Sequence, residues 1–173
     1  MHGDEPMVPT LKTRSLLAHE PLTPQDQGAV LACACMLQQA MQAGSVQPLL
    51  RGKHIGLLCG GADPADAALF RQAVLELGAR VAQIQSGLTL QSPREEVQHT
   101  ARMLGWLYDA VECQGVAPAL VQQVGSQAGV PVYDGLASPG HPTARLAELM
   151  AGDAPPADKR RFVLQAMLLS TID

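Results

Sequence analysis

Three groups of residues in this sequence have the types and spacing that chemistry requires. The first is the stretch Cys59-Gly60-Gly61-Ala62-Asp63-Pro64-Ala65-Asp66, a glycine turn that opens a helix. Such a turn offers unpaired backbone N–H groups and the positive end of a helix dipole, where phosphates settle. Here, however, Asp63 reads as the N-cap, Pro64 as the first helical residue, and Asp66 falls three positions beyond the cap. No Lys or Arg lies between Lys53 and Arg71. The loop is therefore self-capped; the alternative role for Asp63 and Asp66 is to ligate a cation or an amine. The second group is Glu95, Glu96 and His99, at helical spacings that can bind metal. A lone cluster of this kind on a polar face is usually solvated, so no metal is expected. The third is His141, in the glycine- and proline-rich loop 134–142, where an imidazole can cap the helix after Pro142.

The remaining chemistry-bearing residues point away from metals and nucleic acid. Cys33, Cys35, Cys59 and Cys113 show no metal-binding spacing. Cys33 and Cys35 face different sides of one predicted helix, and Cys59 and Cys113 each end a predicted core strand, so reduced structural thiols are expected. With 12 basic against 16 acidic residues, net charge −4, no basic run and only 3% aromatics, the chain offers neither a phosphate-backbone footprint nor a base-stacking platform. The amino terminus lacks the basic-then-apolar order of a signal peptide and no apolar run reaches membrane-spanning length, so a soluble, cytoplasmic protein is expected. No cofactor is expected.

The elements that must position these residues alternate between strand and helix. His54 to Cys59 is an apolar run bounded by glycines, and a helical pattern over Ala65–Leu77 follows, the opening of a βαβ unit in a parallel sheet. Before it, Thr23 caps a helix with Asp26 three residues on, its apolar stripe running through Val30, Leu31, Ala34, Leu37, Gln38 and Met41 to a stop at Gly44. After it come a strand over Ala79–Gln85, a helix opening at Ser92-Pro93 with Glu95 in the capping-box position, and its buried face Val97, Ala101, Leu104 and Leu107. A strand at Ala110–Cys113, a helix over Pro118–Gln127 closed by Gly129, and an edge strand Val130–Tyr133 lead to a helix over Thr143–Met150. Residues 1–21 read as an amino-terminal arm, with Leu11–Leu17 able to dock. Residues 22–151 read as one domain, 152–158 as a linker, and Lys159–Ile172 as an amphipathic helix docking on the same domain. The expected fold is α/β, a three-layer αβα arrangement around a four-stranded parallel sheet, with ligands at the carboxyl ends of its strands.

The order of segments resembles the amino-terminal, carbamoyl-phosphate-binding domain of the ornithine and aspartate carbamoyltransferases, with the ornithine branch closer. The resemblance runs from Leu11 to Met150 through Leu49-Leu50-Arg51-Gly52-Lys53, Thr100-Ala101-Arg102-Met103-Leu104-Gly105, Tyr108-Asp109-Ala110, Val130-Pro131-Val132, Gly135-Leu136 and His141-Pro142. It implies that the family's Ser-Thr-Arg-Thr-Arg phosphate loop falls on Asp63-Pro64-Ala65-Asp66-Ala67, so both arginines are alanine and two aspartates enter, taking the local formal charge from +2 to −2. A further family arginine corresponds to about Gln114, and in the His-Pro-Cys-Gln motif Thr143 and Ala144 replace the last two residues. His141, the family's contact to the carbamoyl oxygen, survives, as does Arg94, near where the family sends a basic residue into a neighbouring subunit.

The resemblance implies Gly61, Asp63, Asp66, Arg94 and His141 as ligand-binding positions, with no confident catalytic residue beyond the candidate His141. Losing a partner of a desolvated charge costs roughly 2–5 kcal/mol. Removing three arginines then forfeits more than about 6 kcal/mol, over four decades of affinity. The family also closes an amino-acid-binding domain over this one and returns a carboxy-terminal helix to it. Here Asp158 to Met167, resembling that helix, follows Met150 within about ten residues, as though the second domain were excised. The expectation is a non-catalytic carbamoyltransferase-like scaffold, regulatory or ligand-sensing protein. The alternatives are a divergent carbamoyltransferase needing a partner subunit and an enzyme acting on a non-phosphorylated ligand through His141. The family's cyclic trimer implies a homo-oligomer, with Met103, Trp106, Leu88 and Leu90 available for its interface, or co-assembly with a full-length carbamoyltransferase.

Overall fold

The computed structural model describes residues 22–61 and 63–173; the predicted arm, including Leu11–Leu17, lies outside them. Ten elements follow one another: α1 (Pro24–Gln42), β1 (His54–Cys59), α2 (Pro64–Glu76), β2 (Arg80–Ile84), α3 (Arg94–Leu107), β3 (Ala110–Gln114), α4 (Pro118–Ala128), β4 (Val132–Asp134), α5 (Ala144–Glu148) and α6 (Pro156–Thr171). The strands form one parallel sheet in the order β2-β1-β3-β4. β3 is buried along its whole length, Glu112 and Gln114 included, which suits its place inside the sheet, whereas β2 and the short β4 are edges. The expected α/β architecture is the one observed.

Side chains alternate between the two faces of the sheet, as a pleated strand requires. Ile55, Leu57, Ala110 and Tyr133 enter the core shared with α1, α2, α5 and α6, while Leu58, Val111, Cys113 and Val132 enter the core shared with α3 and α4. Because the chain passes from β2 over β1 to reach β3, α2 and α3 lie on opposite faces, and a crevice opens between the carboxyl ends of β1 and β3. On the α3–α4 side, a Cβ at Gly105 would stand 1.8 Å from the Ala128 carbonyl oxygen, so only glycine lets these helices approach so closely.

Local sequence signals account for several element ends. Thr23 and Asp26 form the expected reciprocal capping box on α1, and Gly129 closes α4 in the left-handed region at φ 75°. Other expectations need correction. Ser92 does not cap α3: its Oγ accepts the Thr89 N–H at 2.8 Å, and α3 starts after Pro93 without a side-chain cap. Leu107, the last residue of α3, is exposed rather than buried. On α1 the buried stripe takes Cys33, while Met41 is partly exposed. The last helix starts at Pro156, and it is not amphipathic, because every residue from Arg161 to Ser170 is buried among α1, α2 and α5. Among the described residues no helix is long and apolar enough to cross a membrane.

Candidate functional site

A cleft of about 440 Å³ opens at the carboxyl ends of β1, β3 and β4, lined among others by Asp63, Asp66, Gln114, Asp134, Ser138 and His141. Its floor is held by the close approach of the two central strand ends. Gly60 donates its N–H to the Gln114 carbonyl at 2.7 Å, and a Cβ on Gly60 would stand 2.6 Å from the Gly115 oxygen.

The start of α2 brings carboxylates to one wall. Asp63 caps the helix, its Oδ1 accepting the Ala65 N–H at 2.9 Å. The Asp66 carboxyl is pushed up by burial and by the neighbouring negative charge of Asp63, against the lowering pull of Arg160. At the base, Gln114 is 2% exposed; its Nε2 donates to the Asp66 carbonyl at 3.3 Å, and its side chain also hydrogen-bonds Glu112. Its Oε1 is buried with no partner among the described residues.

His141 enters from the opposite wall. Its Nδ1 accepts the Thr143 N–H at 3.2 Å and lies 2.8 Å from the Thr143 hydroxyl. An accepting Nδ1 places the proton of the neutral ring on Nε2. Burial, followed by the charge of Arg160, lowers the His141 pKa to about 4, so the ring is neutral near pH 7. Nε2 is buried with no partner among the described residues.

The loop carrying His141 is gripped from two sides, by a buried carboxyl and by a guanidinium. From β3, Glu112 accepts the N–H groups of Leu136 at 2.9 Å and Ala137 at 3.2 Å. Complete burial pushes its carboxyl up to about 8, against the lowering effect of those bonds and of Gln114. From α6, the Arg160 guanidinium donates to the Leu136 carbonyl, to the Ser138 carbonyl at 3.3 Å and to the Thr143 hydroxyl at 3.2 Å. Burial lowers Arg160 to about 10, and Glu112 and Asp66 oppose that shift.

Of the positions singled out in the sequence, Asp63, Asp66 and His141 meet in this cleft. Gly61 lies in the turn leading to Asp63, at φ 98°, with open space where a Cβ would stand. Arg94 lies elsewhere, exposed on a second cleft with Gln98, Gln123 and Ser126. Sequence reasoning missed Glu112 and Arg160. The signal for Glu112 was an acid in the middle of a core strand; Arg160 stood in the polar run Asp158–Arg161 and carried no mark distinguishing it from Arg161. Glu95, Glu96 and His99 are exposed, and no group of three or more His, Cys, Asp or Glu among the described residues is placed to hold a metal.

A parallel sheet wound on both faces, with a cleft at its central strand ends and a histidine-bearing loop beside it, defines a doubly wound α/β domain. Residues 14–152 match the family described as aspartate/ornithine carbamoyltransferase, carbamoyl-P binding domain, and the chain belongs to it. The ornithine carbamoyltransferase of Cutibacterium acnes is 33% identical over 144 residues, covering 83% of this chain and 43% of that enzyme. The structure of ornithine carbamoyltransferase from Pyrococcus furiosus superposes with a TM-score of 0.62 at 25% identity, covering 79% of this chain and 45% of that one. For the fold alone, aspartate transcarbamoylase from Trypanosoma cruzi, crystallised with N-(phosphonacetyl)-L-aspartic acid, gives 0.65 at 22% identity, covering 82% of this chain and 46% of that one. The chain thus spans less than half the length of these relatives.

Proposed function

We propose that this chain is a non-catalytic carbamoyltransferase-like protein, a scaffold, regulatory or ligand-sensing homologue whose cleft does not take carbamoyl phosphate. The observation carrying this reading is the charge at the start of α2, where Asp63 and Asp66 face a cleft with the neutral Gln114 at its base. Arg160, the nearby cation, directs its guanidinium to two backbone carbonyls and a hydroxyl rather than into the cleft. A dianion entering here meets like charge, and the helix N-terminus that would attract it is already capped. Only residues 149–155 separate α5 from α6, so residues 22–151 and α6 act as one domain, with no acceptor-binding domain between them. Titration calorimetry with millimolar carbamoyl phosphate tests the reading: no saturable heat is expected, and a clear isotherm overturns it.

The second reading, a divergent carbamoyltransferase that borrows its acceptor domain from a partner subunit, is favoured by the survival of His141 in the lining of the cleft. Carbamoyl transfer to ornithine after mixing with a full-length relative would establish it. In either reading the chain is a cytoplasmic homo-oligomer, with Trp106, 87% exposed, and Met103 on the outer face of α3 as the apolar contacts of a trimer. Light scattering on the purified chain gives the mass that decides this.

A further inference from the structure

We propose that the amino-terminal arm of this chain docks on its own domain, with Leu16 and Leu17 in an apolar groove between α1 and α6. The groove holds about 230 Å³ and is walled by α1, by α6 and by the chain joining α1 to β1. Met36, Met41, Val46 and Leu49 along it are each between 37% and 43% exposed, so one patch gathers large apolar side chains that water touches. None of the side chains lining it is charged. Two of its polar groups are already engaged. Gln165 Nε2 donates to the Ala73 carbonyl at 3.2 Å and to Glu76 at 2.8 Å, and Ser45 Oγ donates to the Ala40 carbonyl at 3.4 Å. Such a groove fits an uncharged, apolar segment; a charged ligand would lose water there without gaining a partner.

The occupant is named by where the described chain begins. Leu22 packs against the same core cluster as Cys33, Leu77, Phe162 and Leu169, which line the groove, and its carbonyl accepts Gln27 Nε2 at 3.0 Å. The arm, residues 1–21, lies outside the described residues and carries Leu16 and Leu17 side by side. Folded back along α1, an extended chain at about 3.3 Å per residue sets Leu17 and Leu16 about 17 and 20 Å from Leu22. With a rise of about 1.5 Å per residue, the part of α1 that lines the groove, Cys33 to Met41, lies about 14–26 Å from Pro24. The two leucines therefore fall within the length of the groove, whereas Lys12, about 33 Å out, clears its far end. A segment tethered this close also competes at an effective concentration of about millimolar against any free partner.

The test uses the full chain. With p-benzoylphenylalanine in place of Leu17, irradiation inserts the ketone into nearby C–H bonds, those of methionine above all. The expected product is a link within one chain to Met36 or Met41, read by peptide mapping. No link to a residue of the groove, or a product of twice the mass that joins two copies, overturns the proposal. Peroxide oxidation gives a second readout. Met36 and Met41 should react roughly fivefold faster in the Leu16→Asp, Leu17→Asp chain than in the natural one, while the buried Met150 and Met167 stay unreactive in both. Unchanged rates at Met36 and Met41 overturn the proposal. Should the double variant unfold, Met150 and Met167 oxidise as well, and the photochemical map then decides.

Discussion

Arg160 and Arg161 are adjacent on α6 and point in different directions, and their partners differ in kind. Arg161 donates to Glu76 at 2.9 Å and Asp158 at 2.7 Å, and its guanidinium carbon lies 5.1 Å from the centroid of the Phe162 ring. Glu76 also accepts Gln165 Nε2 at 2.8 Å. The charge of Arg161 is matched by carboxylates, and the result ties α6 to α2. Arg160 takes no part in the ion pairs found among the described residues; it gives its protons to the Leu136 and Ser138 carbonyls and to Thr143. One arginine fastens two helices, while its neighbour shapes the loop that carries His141. The same residue type, one position apart, serves the fold in one case and the cleft in the other.

Four perturbations sharpen or break this contrast. The largest effect is expected at Glu112, which grips the same loop from β3. Glu112→Leu strands the Leu136 and Ala137 N–H groups and should cost about 3–4 kcal/mol in urea denaturation. The same residue sets a pH dependence. With its pKa raised from 4.5 to about 8, folded Glu112 keeps a proton that the unfolded chain has lost, so its contribution is full below about 4.5 and is lost as pH rises to 8. His141, lowered from 6.5 to about 4, acts in the opposite sense, its contribution being present above 6.5 and lost as pH falls to 4. Between pH 6.5 and 8 only the Glu112 slope remains of these two. The thermal midpoint should fall across that interval in the natural chain and hold steady in Glu112→Gln.

Next in size is Arg160→Met, expected to cost about 2–3 kcal/mol and to quicken limited proteolysis within residues 135–143. Arg161→Met should cost about 1–2 kcal/mol, because Glu76 keeps Gln165 and water, and it should leave proteolysis of the loop unchanged. Equal loosening of the loop by both variants would abolish the distinction between the two arginines. The smallest change, Thr23→Ala, removes the α1 capping box far from both residues and should cost about 1 kcal/mol by chemical denaturation with no effect on the loop.

The sequence made the scaffold legible wherever a pattern repeats. The apolar run at His54–Cys59, the Asp63-Pro64 helix start and Gly129 at the end of α4 each announce their role through local chemistry. Asp63, Asp66 and His141 could be singled out because they stand in loops or at a helix start, at the ends of elements where ligands are met. Arg160 could not, and Glu112 showed only as an acid inside a core strand, because their roles depend on which loop lies across them. That is a long-range fact: Glu112 and Leu136 are brought together only by the pairing of β3 with β4. The burial of α6 was misread for a related reason. A helix enclosed on nearly all sides has no polar stripe to betray its period, and Arg161, Gln165 and Ser170 look solvent-facing until Glu76 and the Ala73 and Ala166 carbonyls are found to receive them.

The enclosure of α6 also sets an order of events in biosynthesis. Val30, Ala34, Phe70 and Val74 share a core with Phe162, Leu164 and Met167, so a nascent chain cannot shield these side chains until the ribosome has extruded α6. The α3–α4 side uses only residues up to Val132 and can settle earlier. A ribosome stalled before residue 156 would therefore present a half-finished sheet, one flank sealed and the other sticky, which is the form a holding chaperone would grasp.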